Sequence, residues 1–119
     1  MRPVYMPAST LAGNSDPVVV DTHLGPSNIL IAVELGGNTG GGASYTVQYS
    51  PDNPFGSYAT DYNTNANWYD HPTLITLAAD AVDQLSVPAQ GIRLVTTTPG
   101  TGGTTAPRMV VVQSGGMVS

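Results

Sequence analysis

Asn28-Ile29-Leu30-Ile31-Ala32-Val33-Glu34-Leu35 is the stretch that decides the fold class. Ile29, Ile31, Val33 and Leu35 alternate with Leu30, Ala32 and Glu34, a period of two that points successive side chains to opposite faces of a strand. Tyr45, Val47 and Tyr49 alternate with Thr46 and Gln48 in the same way. Working outward, further strands are expected at Pro17 to Asp21, Leu74 to Leu77, Gln84 to Val87, Gly91 to Thr97 and Arg108 to Gln113, about seven in all. Val110-Val111-Val112 is a continuous apolar run of the kind covered on both faces.

The 14 glycines and 10 prolines fall between these runs and not inside them, which is the punctuation of an all-β chain. No window sustains helical apolar spacing, and Leu77 to Val82 has room for one helical turn at most. The expected fold is a single antiparallel β-sandwich of Greek-key or jelly-roll type over residues 14–114. Residues 1–13 are expected to form an extended arm that docks on neighbours, and residues 115–119 a flexible tail. Gly36-Gly37-Asn38-Thr39-Gly40-Gly41-Gly42 reads as a mobile hairpin tip, and Thr98 to Pro107 as a protruding loop.

Three arginines, no lysine and eight acids make 9% of the chain charged, with a net charge of −5. Soluble domains average about 25%. Without clustered cations, binding to nucleic acid or to an anionic membrane surface is not expected. Hydrophobic residues at 40% separate the chain from disordered sequences. The chain has no cysteine, so disulfides and thiolate metal sites are out. Met1 to Pro7 has no apolar core of a signal peptide, and no stretch is long enough for a membrane helix.

Chemistry-bearing patterns are sparse. Asp70-His71 lacks any nucleophile elbow nearby in sequence, and strand neighbours point apart, so a His that caps or packs is the plainer reading. His23 stands alone after Asp21-Thr22. Asp61-x-Asn63-x-Asn65-x-Asn67 has the 1-3-5-7 spacing of a calcium loop. It has Ala66 where glycine is wanted and Pro72 where a bidentate glutamate belongs, so an Asn run bonding its own turns is favoured. Asp52, Asp61, Asp70, Asp80 and Asp83 would have to converge for glycoside hydrolysis. The Gly-rich loop lacks the ending of a phosphate loop. No catalytic residue, cofactor or metal is assigned.

Ser50 to Pro72 holds Phe55, Tyr58, Tyr62, Trp68 and Tyr69, five of eight aromatic residues. Trp68 and its flanking tyrosines are expected to anchor this long connection over the core; the rival reading is a flat platform for carbohydrate. Arg93, between Ile92 and Leu94, is expected to pair with an acid.

Tyr45-Thr46-Val47-Gln48-Tyr49-Ser50-Pro51-Asp52-Asn53-Pro54, Trp68-Tyr69-Asp70-His71-Pro72-Thr73-Leu74, Leu85-Ser86-Val87-Pro88-Ala89-Gln90-Gly91-Ile92-Arg93-Leu94 and Met109-Val110-Val111-Val112-Gln113 together resemble a group of small tailed-bacteriophage virion proteins. The resemblance covers about Ser44 to Ser114. It implies a virion structural protein, most simply a capsid decoration or cement protein on the outer shell, made in the host cytoplasm and bridging capsomers through its arm and a sheet face or edge. The major capsid protein would be its partner; apart from the resemblance, strand edges open to pairing make a homotrimer or another homo-oligomer a further expectation. A neck or tail component, or a carbohydrate-binding module for host attachment, are the alternatives. Arg2, Tyr5, Trp68, Tyr69, Arg93 and Arg108 are the candidate interface residues.

Overall fold

The computed structural model describes residues 3–20, 28–54, 61–85 and 89–114. Nine strands and one helical turn follow in order: β1 Val4–Pro7, β2 Gly13–Asn14, β3 Val18–Val19, β4 Asn28–Glu34, β5 Ser44–Ser50, α1 Tyr62–Asn65, β6 Tyr69–Asp70, β7 Ala81–Leu85, β8 Gly91–Thr98 and β9 Arg108–Ser114. They make two antiparallel sheets: sheet A in the order β1-β9-β4-β7, and sheet B in the order β2-β8-β5-β6 with β3 also on β8.

β2 and β3 lie along the same side of β8, Asn14 opposite Val95 and Val18 opposite Ile92. Residues 15–17 therefore stand against residues 93–94, three against two, a bulge within one edge strand. Ser15 makes the bulge by inserting its hydroxyl, which accepts from the Leu94 N–H at 2.9 Å, while the Ser15 N–H donates to the Leu94 carbonyl. Pro17, which has no N–H to give, falls inside it.

Counting β2 and β3 as one strand, the pairs are first with last (β1:β9), second with seventh (β2/β3:β8), third with sixth (β4:β7) and fourth with fifth (β5:β6). This is a long antiparallel ribbon rolled into a sandwich, the jelly-roll member of the two topologies expected. The ribbon folds back between β5 and β6, where the aromatic-rich connection lies.

One core fills the space between the sheets. Sheet A contributes Ile29, Ile31, Val33, Leu85, Met109 and Val111, with Leu35 just beyond β4; sheet B contributes Val18, Tyr45, Val47, Ile92 and Leu94. The alternation of Asn28 to Leu35 thus gives the buried face directly.

Several expectations change. Residues 4–7 are extended, but they pair with β9 of their own chain, Val4 opposite Val111 and Pro7 opposite Arg108, because Val4 and Met6 pack against the core. Leu74 to Leu77 is not a regular strand. It runs beside β5, with Leu74 accepting from the Val47 N–H and Leu77 exchanging bonds with Tyr45, but Thr76 at φ 47° breaks the ladder. Leu77 to Val82, which had room for one helical turn at most, forms none; Ala81 and Val82 begin β7, while the turn that does form, α1, lies in the Asn run.

The Gly-rich tip and the Thr98 to Pro107 loop are one laced unit. Asn38 donates its amide N–H groups to the carbonyls of Leu35 and Thr105 and accepts from the Gly103 N–H, while Gly40 and Thr101 form a β-bridge. Gly36, at φ 62°, and Gly100 have no room for a Cβ, which would strike the Thr105 and Asn38 backbones respectively. Asp21, Thr22, His23, Phe55, Tyr58, Val87, Arg2 and the 115–119 tail lie outside the described residues.

Candidate functional site

The outer faces of the two sheets differ completely. On sheet B the register places Gln48 opposite both Arg93 and Asp70. Arg93 is only 9% exposed, held down by the returning connection. Its Nε and Nη2 both donate to Gln48 Oε1, at 3.0 and 2.7 Å, and Nη1 donates to the Asn63 carbonyl and to Asn63 Oδ1, each at 2.6 Å. The guanidinium lies 4.3 Å from the Trp68 ring centroid, and the Trp68 indole N–H donates to the same Asn63 carbonyl. Gln48 passes the polarity on, its Nε2 donating to Asp70 Oδ1 at 2.8 Å.

Arg93 is therefore satisfied by neutral oxygens and a π-face, not by the acid expected from the sequence. The reason is geometric. The Asn63 carbonyl and amide and the Gln48 amide converge on a planar fork with fixed donors. Burial pushes the guanidinium pKa below its usual value, yet an arginine stays protonated. Within the stretch that has calcium-loop spacing, Asn63 turns its oxygens to a cation, and that cation is Arg93. Asn67 instead bonds Asp52, through its backbone and side-chain N–H groups.

Tyr62 seats α1 on sheet B. Its ring packs edge-on to Trp68 at 5.4 Å, its hydroxyl donates to the Asp52 carbonyl, and it lies directly over Gly91, where a Cβ would come within 2.6 Å of the Tyr62 oxygen. Burial raises the Tyr62 pKa, partly opposed by a hydrogen bond with Ser50. The aromatics thus anchor the connection to the outer face of sheet B, not over the core. Trp68 and Tyr69 share no platform. Trp68 is under Arg93, whereas Tyr69 is 54% exposed and tilts against Tyr49 at the sheet's edge.

Asp70 and His71 also part company. His71 is buried with both ring nitrogens committed: Nε2 bonds the Gln84 carbonyl at 2.8 Å, and Nδ1 accepts from the backbone N–H groups of Thr73 and Leu74 at 3.1 Å. That pattern fixes Nε2 as the protonated nitrogen. Asp83 is engaged with the Thr73 hydroxyl, which lowers its pKa.

Sheet A presents a different surface. Tyr5, Val110, Ala32 and Val82 form a row across all four strands, and Val112, Leu30 and Gln84 form the next. Tyr5, Leu30 and Val82 are exposed at 54%, 40% and 63%. Among the described residues, the charges on this face are Arg108 and Glu34, paired to each other at 2.8 Å, with the guanidinium 4.5 Å over the Tyr5 ring. The face is apolar and locally neutral.

The edges beside it are blunted. Val4, Met6 and Ala8 turn their backbones to β9, so β1 points positions 3, 5 and 7 outward, and Pro3 and Pro7 have no N–H to offer. On β7, the Gln84 carbonyl is taken by His71 and its N–H by Asp83. These two edges of sheet A offer few backbone groups to strand addition, the route to a trimer expected from the sequence.

Of the sequence-assigned interface residues, Tyr5 meets Arg108 on sheet A, Trp68 meets Arg93 on sheet B, and Tyr69 stands apart. Leu30, Val82, Val110 and Val112, which also line the outer face of sheet A, were not singled out from the sequence. For Leu30, Val110 and Val112 the signal was present in the runs Ile29 to Val33 and Val110 to Val112, which are apolar on both alternating faces; Val82 lies in neither run.

Compared with protein-family models, curated proteins and solved structures, the chain matches none.

Proposed function

We propose that this chain is a structural protein of a virion, a decoration protein of the outer shell, which contributes surface and not chemistry. The observation that carries the reading is the exposed apolar face of sheet A, neutral and bordered by blunted edges. Faces of this kind mark sites of association. Among the described residues, His71 and the buried Arg93, the side chains that would serve an active site, are instead engaged in holding the chain together.

Two further points support it. Three of the four segments that resemble tailed-phage virion proteins serve to fasten connections: Gln48, Trp68 and Arg93 hold the β5–β6 connection, and His71 holds the turn that follows β6, as structural motifs should. Jelly rolls also recur in viral capsid and lectin domains, an analogy at the level of fold. The lectin side of that analogy is weakened because Trp68 gives its ring face to Arg93.

Quantifying the chain against the major shell protein in purified virions of its source tests this reading. Comparable copy numbers support decoration. A handful of copies per particle would move the protein to the neck or tail, and absence from the particle would overturn the reading.

A further inference from the structure

We infer that the partner seated on the outer face of sheet A is a second copy of this chain, packed face to face about a two-fold axis that crosses β4 near Ile31. The inference rests on the reading above that this face is buried in an assembly, and it names what buries it.

The register carries the argument. Leu30, Val112 and Gln84 lie at one level across the sheet, and Ala32, Val110 and Val82 at the next outward-facing level. A two-fold axis between these levels lays each row on the other row of the second copy. Leu30, which stands proud at 40% exposure, then meets the small Ala32. Val112 meets Val110, which is only 8% exposed, and the amide of Gln84 reaches Val82 at the rim. One surface supplies both the projection and the recess, as an isologous contact requires. The Glu34–Arg108 pair belongs to the level beyond Ala32 and Val110, with its guanidinium leaning back over Tyr5, and in this arrangement that level lies against Asn28 and Ser114 of the second copy, so the two ion pairs are not set against each other.

Charge permits the same arrangement. Each copy carries −5. Asp16, Asp52, Asp61 and Asp70 belong to sheet B or its covering segment, and with sheets about 10 Å apart these four acids would be separated from their counterparts in the second copy by roughly 30 Å. That exceeds the Debye length of about 8 Å at physiological salt. Asp80 and Asp83 are turned to Leu35 and Thr73 of their own chain.

The size of the face fixes the strength. Strands of 4, 7, 7 and 5 residues, about 4.8 Å apart with about 3.4 Å per residue, give roughly 375 Å², against about 800 Å² per partner in a standard interface. The dimer is therefore weak in solution and gains from repetition on a lattice, where two-fold pairs give each attachment two points of contact.

Sedimentation equilibrium of the whole chain over a wide concentration range tests the inference. The unmodified protein should show a monomer–dimer equilibrium. Leu30→Asp should weaken it about tenfold or more. Ala32→Leu sets two leucines against each other and should also weaken it, although it enlarges the apolar patch. The swap Leu30→Ala with Ala32→Leu rebuilds the fit and should restore association to within about threefold. Near-ultraviolet circular dichroism of Trp68 checks that each variant is folded.

A chain that stays monomeric to millimolar concentration overturns the inference, as does an Ala32→Leu variant that associates more tightly. A folded swap that stays monomeric overturns it too. A monomer that is abundant on virions would overturn the dimer alone, and a dimer absent from virions would overturn the virion reading alone.

Discussion

The guanidinium of Arg93 rests on the indole ring of Trp68, 4.3 Å from its centroid, with the Asn63 carbonyl shared between them. The contact fastens the β5–β6 connection across the outside of sheet B. Replacing Arg93 by lysine keeps the charge and loses the fork. Arg93→Lys should cost about 2 kcal/mol, read as a lower urea midpoint at unchanged slope. Glu34→Gln, which breaks the exposed pair with Arg108, should cost less than about 1 kcal/mol. Equal effects would contradict the distinction drawn between the two arginines.

Gly91 is set by the ring above it. Gly91→Ala brings a methyl group to 2.6 Å from the Tyr62 oxygen, and should cost about 1–3 kcal/mol by overpacking. In a double-mutant cycle with Tyr62→Ala, the penalty at residue 91 should largely disappear. A penalty of the same size with and without the ring would place its cause in the backbone of β8.

Asn38 ties two loops together through three hydrogen bonds to backbone groups. Asn38→Ala should cost about 1–3 kcal/mol and speed amide exchange of Gly103 relative to the core strands. Exchange at Gly103 that is already fast in the unmodified protein would show that the lacing does not hold the tip.

Thr73 and Asp83 give the fold a pH-dependent contact. The Thr73 hydroxyl donates to the Asp83 carboxylate and is the main cause of its lowered pKa, with the Gln84 N–H second. A carboxyl with a folded pKa below its unfolded one stabilises above the unfolded value, about 3.9 for aspartate. That stability fades as the pH falls through the lowered folded value. Thr73→Val should therefore be less stable at neutral pH and converge with the unmodified protein in acid. A difference that persists once Asp83 is protonated would assign the loss to packing.

Legibility in the sequence followed locality. Asn28 to Leu35 and Tyr45 to Tyr49 announce their buried faces because the alternation is set within each strand. Trp68 and Arg93 stood out by type, as a lone tryptophan and a rare cation, yet the oxygens that hold Arg93 come from Gln48 and Asn63, neighbours only after the ribbon has rolled. Leu74 to Leu77 looked like a strand by composition and was diverted by the left-handed turn at Thr76. The apolar outer face of sheet A was written in Leu30, Val82 and Val110. Its use could not be read from any one run, since the rows form only when β1, β9, β4 and β7 are side by side.

The placement of β9 between β1 and β4 has a kinetic consequence. Val4 finds its partner in Val111, and Ile31 finds one of its two in the same residue. Until residues 108–114 arrive, β1 has no ladder to join and β4 lacks one flank. Closure of sheet A therefore waits on contacts of high sequence separation, which makes folding slow compared with helical chains of this size. In that interval Leu30 and Ile31 both face solvent on a strand with an open edge, so the nascent chain is most prone to aggregation just before its last strand docks.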